Sequence, residues 1–418
     1  MASRGPSSMI DQSYTMLTRI PLFQGADGFY ADDLWEKDLS AHLRYIRDFR
    51  IACPVLLVSA ALGPLKRIAA MTDAQVTPLR VDCGWGSVAA NFVPNFSQVF
   101  RAIRRSDIVH TSCAGWAFPL AYYALLLRPF IRFKWVNVVE SSFWVKPAQG
   151  AVSMRQRIEH HVHEFLVKRC VRASDARIFT QDGYRAAYLG SHDAAMVNTA
   201  VWIDDENFRD DADLTVPDTV RLIFPARLLP EKGVENVLEA VARWDAVYGR
   251  DAGPPVELDI IGEGALAERC RAFVAARDPK ARLRMRFLDQ VPYGPVFFTL
   301  LRGYSAAIVA NRQAEQARIV FDVMAQGLPV FASDTSGNRA VINDGKTGAI
   351  FPVDDADALA ALIERAACEP AWVLAIGRNA LASARGFSHT AMHRDREVFL
   401  WTTLRLGETV LVSPTPKA

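Results

Sequence analysis

Residues 315–337 read EQARIVFDVMAQGLPVFASDTSG. Two acids, Glu315 and Asp322, bracket the start of an apolar helical pattern that continues through Met324 and Ala325 and stops at Gly327. Pro329 opens a short apolar run, and Ser333 to Gly337 form a polar loop. A helix that stops on glycine and hands over to a strand almost at once marks an α/β unit. Carboxylates accept hydrogen bonds from sugar hydroxyls and a helix N-terminus favours anions, so this pair suits a ligand carrying both sugar and phosphate. Equally, Glu315 can complement the helix dipole while Asp322 faces solvent.

The same alternation extends in both directions from this stretch. Around it, strands are expected at 220–224, 257–261, 284–288, 306–309, 329–332 and 348–351, with helices at 233–248, 266–277, 320–326 and 355–368. The first half repeats the rhythm, with strands at 16–20, 55–59, 107–110, 135–139 and 176–179 and helices at 35–49, 99–105, 117–127 and 154–173. The acidic stretch 204–218, which holds Pro217, reads as a linker. The expected fold class is therefore α/β, with two Rossmann-like domains facing each other across a cleft. Their expected bounds are 1–210 and 211–385, with a helix and tail at 386–418 returning to the first domain.

Three further turns in the second half carry chemistry. The segment 225–233 reads PARLLPEKG, which sets Arg227 and Lys232 five residues apart at a strand exit. Two cations so placed can reach one anionic group from two sides, although a solvated basic turn has the same sequence. Residues 260–264 read IIGEG, a glycine turn at Gly262 and Gly264 after an apolar strand, and 344–348 read DGKTG.

Taken in order, the Arg-x4-Lys turn, the Gly-x-Gly turn, the acid-bracketed helix, the MAxGxPV helix exit and the DGxxG turn resemble the donor half of family-4 glycosyltransferases, which have the GT-B fold. The resemblance is specific over about 220–365 and rests on architecture over 15–210. It implies a retaining enzyme that moves a sugar from a UDP- or GDP-sugar to a hydroxyl acceptor in polysaccharide, glycolipid or other glycoconjugate synthesis, with no metal and no other cofactor. Carried over by position, Arg227 and Lys232 would neutralise the donor diphosphate, Gly262 would belong to the donor site, and Asp322 would hold the nucleotide ribose. Ala314 stands where the family has its first motif acid, so Glu315, one position later, is the candidate for the donor sugar. Ala226 and Ala340 likewise replace a family glycine and glutamate. Two alternatives remain open: an epimerase or phosphorylase-like enzyme on the same fold, and a non-catalytic sugar-nucleotide-binding protein.

In the first half, Gly25 and Gly28 form a glycine turn that the resemblance places on the donor phosphates and the acceptor. His110 and Glu140 are expected to end their strands and to face the cleft, as candidate catalytic residues. His160, His161, His163 and Glu164 lack the further ligands that a zinc site needs.

Charge excludes little in total, at 48 Lys/Arg against 46 Asp/Glu, but it is unevenly spread. Residues 101–185 hold 14 basic and 6 acidic side chains, together with Trp116, Trp135 and Trp144. Cations mixed with indoles suit contact with a membrane surface and with a lipid-linked acceptor, although part of this stretch is needed for the core. No nucleic-acid partner is indicated. Six scattered cysteines exclude a disulfide framework, and the longest apolar run is too short to span a bilayer. A cytoplasmic protein, peripheral to the inner face of a membrane, is the expectation.

Overall fold

The computed structural model describes residues 9–58, 63, 65–114, 118–140, 153–189, 195–249, 253–314 and 317–406. The chain divides into two compact units, one made of 1–199 with 393–418 and the other of 200–392. The division precedes the acidic stretch because Val201 and Ile203 are already buried in the second unit's core.

The first unit contains, in chain order, β1 (Tyr14–Leu17), β2 (Leu22–Gly25), β3 (Gly28–Ala31), α1 (Asp33–Tyr45), β4 (Phe49–Leu57), β5 (Lys66–Arg67), β6 (Val76–Leu79), α2 (Trp85–Ile103) and β7 (Ile108–Ser112). It continues with α3 (Ala121–Leu127), β8 (Lys134–Val139), α4 (Met154–Ala173), β9 (Ala176–Phe179), α5 (Asp182–Tyr188) and β10 (Met196–Val197). The sheet order is β10-β9-β8-β7-β1-β4-β2-β3-β5, with β6 also on β4. Its centre is parallel and its edge is the antiparallel set β2-β3-β5.

Three expectations change here. The helix expected over 35–49 ends at Tyr45, because Phe49 to Leu57 is needed as the long strand that pairs with β1, β6 and β2. The strand expected at 55–59 is the exit of that same strand. The helix expected at 99–105 begins at Trp85; Pro94 inside it hides the continuity from a sequence reading.

The second unit is more regular. It contains β11 (Val220–Pro225), α6 (Val234–Val247), β12 (Val256–Ile261), α7 (Ala267–Ala275), β13 (Leu283–Leu288), α8 (Pro295–Leu301) and β14 (Ala306–Val309). After these come α9 (Ile319–Ala325), β15 (Val330–Ser333), α10 (Ser336–Arg339), β16 (Gly348–Phe351), α11 (Ala356–Cys368) and α12 (Pro370–Ala384). All pairings are parallel, in the order β13-β12-β11-β14-β15-β16. Such strands are buried on both faces, so they read as continuous aliphatic runs such as 220–224. The order reverses between β11 and β14, and a ligand of such a sheet binds outside the strand ends at that switch point.

The last helix, α13 (His389–Thr403), follows. From His393 onward the chain belongs to the first unit, and polar contacts tie it there. His393 Nε2 lies 3.1 Å from Asp38 Oδ1, and Arg396 donates to Asn198 Oδ1 at 2.6 Å. The Asp38 carboxylate also lies 3.5 Å from His42, whose ring packs edge-on against that of His393. His110 joins this buried group by its ring, 5.9 Å from that of His42, and its Nδ1 lies 2.9 Å from the Tyr14 hydroxyl.

Burial sets the protonation of these rings. It holds His110 well below the ordinary histidine range and His393 down at about 3, with neighbouring His42 and Arg396 adding to the effect. Both are neutral in the folded protein near pH 6, whereas in the unfolded chain they bind protons near 6.5. A depressed histidine pKa gives stability that is complete above the unfolded value and is lost as pH falls below it. The stability is therefore expected to fall between about pH 6.5 and about pH 5, by up to about 1.4 kcal/mol per ring per pH unit, and the melting temperature to fall with it. His393→Gln should make that slope shallower by about one proton, which thermal unfolding across this range measures.

Candidate active site

A cavity of about 450 Å³ opens at the exits of β11 and β14, where the sheet order reverses. Arg227 and Lys232 line it from the first exit, Asn311 from the second, and Arg318 from the start of α9. Two cations five residues apart reach one space because the chain between them turns tightly, through the short 3-10 turn Pro230–Lys232 and then Gly233.

Two glycines make this turn possible. Gly233 is left-handed at φ 72°, and a Cβ there would lie 1.9 Å from the Ala310 carbonyl oxygen. Gly262 has φ 150°, and its Cβ would lie 1.9 Å from the Ala226 carbonyl oxygen. No side chain fits at either place. The turn after β12 thus lies flush against the loop that carries Arg227, and hydrogen bonds join them: Leu228 N–H donates to the Glu263 carbonyl at 2.7 Å, and Leu266 N–H to the Leu228 carbonyl at 2.9 Å. Gly262 is not among the residues lining the cavity; it braces Arg227 from behind.

Arg312, which the sequence reading did not single out, holds the other side. Its N–H donates to the Glu231 carbonyl at 2.9 Å and its Nη1 to the Pro230 carbonyl at 3.1 Å, while Nε is anchored on Asp354 at 2.6 Å. A buried amide group fixes the exits of β14 and β15. Asn338 donates to Asn311 Oδ1 at 3.0 Å and to the Ser333 carbonyl at 2.8 Å. Only the fold brings these residues together, across 27 positions of sequence.

Asp322 sits inside α9 and is buried, so the reading in which it faces solvent fails. Its Oδ1 accepts the Tyr293 hydroxyl at 2.7 Å. Burial, followed by the carboxylate, raises the Tyr293 hydroxyl above its ordinary range, so it stays protonated and donates. Asp322 is not among the residues lining the cavity. Glu315 lies outside the described residues.

The first-unit candidates are placed differently from expectation. Strand β7 runs on to Ser112, so His110 does not end it. The ring is buried on Tyr14, in register with Val136, four positions before Glu140 on the neighbouring strand. His110 is a core residue: it is buried against the Tyr14 hydroxyl and burial keeps its ring neutral, so it does not face a strand exit as a catalytic group would. Glu140 follows β8 directly and is exposed. Gly25 and Gly28 do not follow the first strand: they face each other at the base of the two-residue tip of the β2–β3 hairpin. Tyr30 and Arg67 tie that tip through Asp27, at 2.7 and 2.8 Å. Trp135 is fully buried and donates to Thr111, so it is no membrane anchor; Trp116 and Trp144 lie outside the described residues.

Comparison with known proteins agrees with this geometry. Residues 206–380 match the family model described as glycosyl transferases group 1. The chain is 22% identical to an alpha-D-kanosaminyltransferase of Streptomyces kanamyceticus, over 63% of this chain and 68% of that one. It is 32% identical to a phosphatidyl-myo-inositol mannosyltransferase of Mycolicibacterium smegmatis, over 32% of each chain. Among solved structures it is similar to Anabaena HepE in complex with UDP-glucose, with a TM-score of 0.62 and 15% identity over 94% of this chain and 100% of that one.

The bracing of the Arg227 loop makes a prediction. Gly262→Ala must separate the two loops, and is expected to lower the melting temperature by several degrees and to weaken nucleotide-diphosphate binding about tenfold. Arg312→Ala should weaken binding with a smaller loss of stability; calorimetric titration and thermal unfolding of both variants test this. The matched segment lies on the switch-point cavity of a GT-B fold, and the protein is a glycosyltransferase.

Proposed function

We propose that the enzyme transfers a sugar from a nucleoside-diphosphate sugar to a hydroxyl acceptor, with retention at the anomeric carbon. The convergence of Arg227 and Lys232 on one cavity at the switch point carries this reading. As the bond from the anomeric carbon to the diphosphate oxygen stretches, negative charge grows on the leaving group, and two fixed cations stabilise it without reorganising. The new bond forms from the acceptor oxygen to the same carbon, on the same face. The acceptor proton passes to the departing phosphate oxygen, so the scheme needs no separate protein base.

Asp322 is the residue proposed to accept from the ribose hydroxyls, its rotamer fixed by Tyr293. Glu315 is proposed to serve the donor sugar. On the first unit, Glu140 is the catalytic candidate, to position the acceptor hydroxyl, and the hairpin tip at Gly25 and Gly28 is the candidate for the donor phosphates and the acceptor. UDP- and GDP-sugars are the donors to test first; the UDP-glucose bound by HepE supports the former. The mannosyltransferase relative, named for a phosphatidylinositol, supports an acceptor carried by a lipid, as does the basic excess of 101–185.

Arg227→Ala and Lys232→Ala should each weaken nucleoside-diphosphate binding by about tenfold or more, the scale of a lost charge-assisted hydrogen bond. Unchanged affinity in both variants refutes the assignment. Turnover should survive EDTA, and NMR of the first product formed should show the donor's anomeric configuration.

A further inference from the structure

Helix α4 is apolar on two opposed faces. One face is ordinary: His163, Val167, Cys170 and Val171 are buried, with His163 on the Tyr122 hydroxyl and Cys170 against the Ala121 carbonyl of α3. Among the described residues, nothing covers the other face. Met154, Ile158, Val162 and Phe165 are 71%, 58%, 47% and 61% exposed. At 100° per residue these four fall within an arc of about 80°, roughly opposite the buried face. A surface helix normally carries one apolar stripe, and a second one marks an interaction surface.

Local devices hold this helix where the core does not. Ser153 and Gln156 form a reciprocal capping box, and Arg155–Glu159 and Glu164–Lys168 pair one turn apart. The exposed stripe is thus built into a firm helix rather than left by a frayed one.

The charges around the stripe select its partner. Five cations, Arg155, Arg157, Lys168, Arg169 and Arg172, stand on α4 against two acids, Glu159 and Glu164. Arg157, Arg169 and Arg172 form no ion pair among the described residues. A second copy of the chain would bring the same basic helix against itself, which repulsion opposes. An anionic bilayer satisfies both features, taking the apolar side chains below its headgroups and the guanidinium groups among them.

We infer that the exposed face of α4 docks the enzyme on an anionic membrane surface, with Met154, Ile158, Val162 and Phe165 entering the headgroup boundary. This rests on the reading that the acceptor is carried by a lipid.

The test is flotation of the full chain with vesicles of phosphatidylcholine alone and with phosphatidylglycerol added. Binding should require the anionic lipid and weaken as salt rises. Ile158→Ser with Phe165→Ser should reduce it about tenfold or more, and Arg157→Ser with Arg169→Ser by a similar factor, about fivefold per cation. All four positions are exposed, so circular dichroism and nucleoside-diphosphate binding should be unchanged. If both double variants bind vesicles as the parent does, α4 is not the docking element, while the lipid-acceptor reading stands. If the parent ignores anionic vesicles, both readings fall and sugar transfer to a soluble acceptor remains. A parent that is dimeric, ignores vesicles and becomes monomeric through Ile158→Ser with Phe165→Ser would show that a second copy covers this face.

Discussion

The cavity at the switch point of the second unit depends on two places where backbone meets backbone with no room for a side chain. Gly262 lies against the Ala226 carbonyl, and Gly233 against the Ala310 carbonyl. Because the neighbouring loops touch directly, the turn that carries Arg227 and Lys232 is fixed from β12 on one side and from β14 on the other. A pair of flexible cations would have to be ordered by the ligand, at a cost in entropy. Here the fold orders their backbone beforehand, and Arg312 adds a second tie through Pro230, Glu231 and Asp354.

The two units handle polar burial in different ways. In the second, buried amides and a hydroxyl, Asn311, Asn338 and Ser333, fasten strand exits next to the cavity, and Tyr293 fastens Asp322. In the first, a group of imidazoles around Asp38 and Tyr14 fastens α13 to the sheet layer. Burial favours the neutral form of His110 and His393, so the stability that these two rings contribute depends on pH. Helix α4 stands apart from both patterns: a cap and ion pairs support it, and its outward face carries exposed apolar side chains.

Much of the second unit was legible in the sequence. Its strands are continuous aliphatic runs, α9 gives way to Gly327, and the order of its turns places Arg227, Lys232, Gly262 and Asp322 at the strand exits and helix that carry them. The first unit was less legible because its local signals conflict with its tertiary needs. Pro94 masks a helix that the core nonetheless completes, and 46–49 looks helical until β1 claims Phe49 as a strand partner. His110 shows the same limit at a single residue. A histidine near a strand end carries no mark of whether it meets solvent or a tyrosine.

The sequence by itself determined the α/β class, the alternation in both halves and the residue types of the turn from Arg227 to Gly233, because hydrophobic period and glycine position act locally. The tertiary structure decided what those residues do together. It made Gly262 a brace rather than a lining residue, moved Gly25 and Gly28 to a hairpin tip, put His110 in the core, and brought Asn311 to Asn338 and Tyr293 to Asp322. Apart from the hairpin tip, these are long-range pairings, set by strand order and register, and no local spacing encodes them.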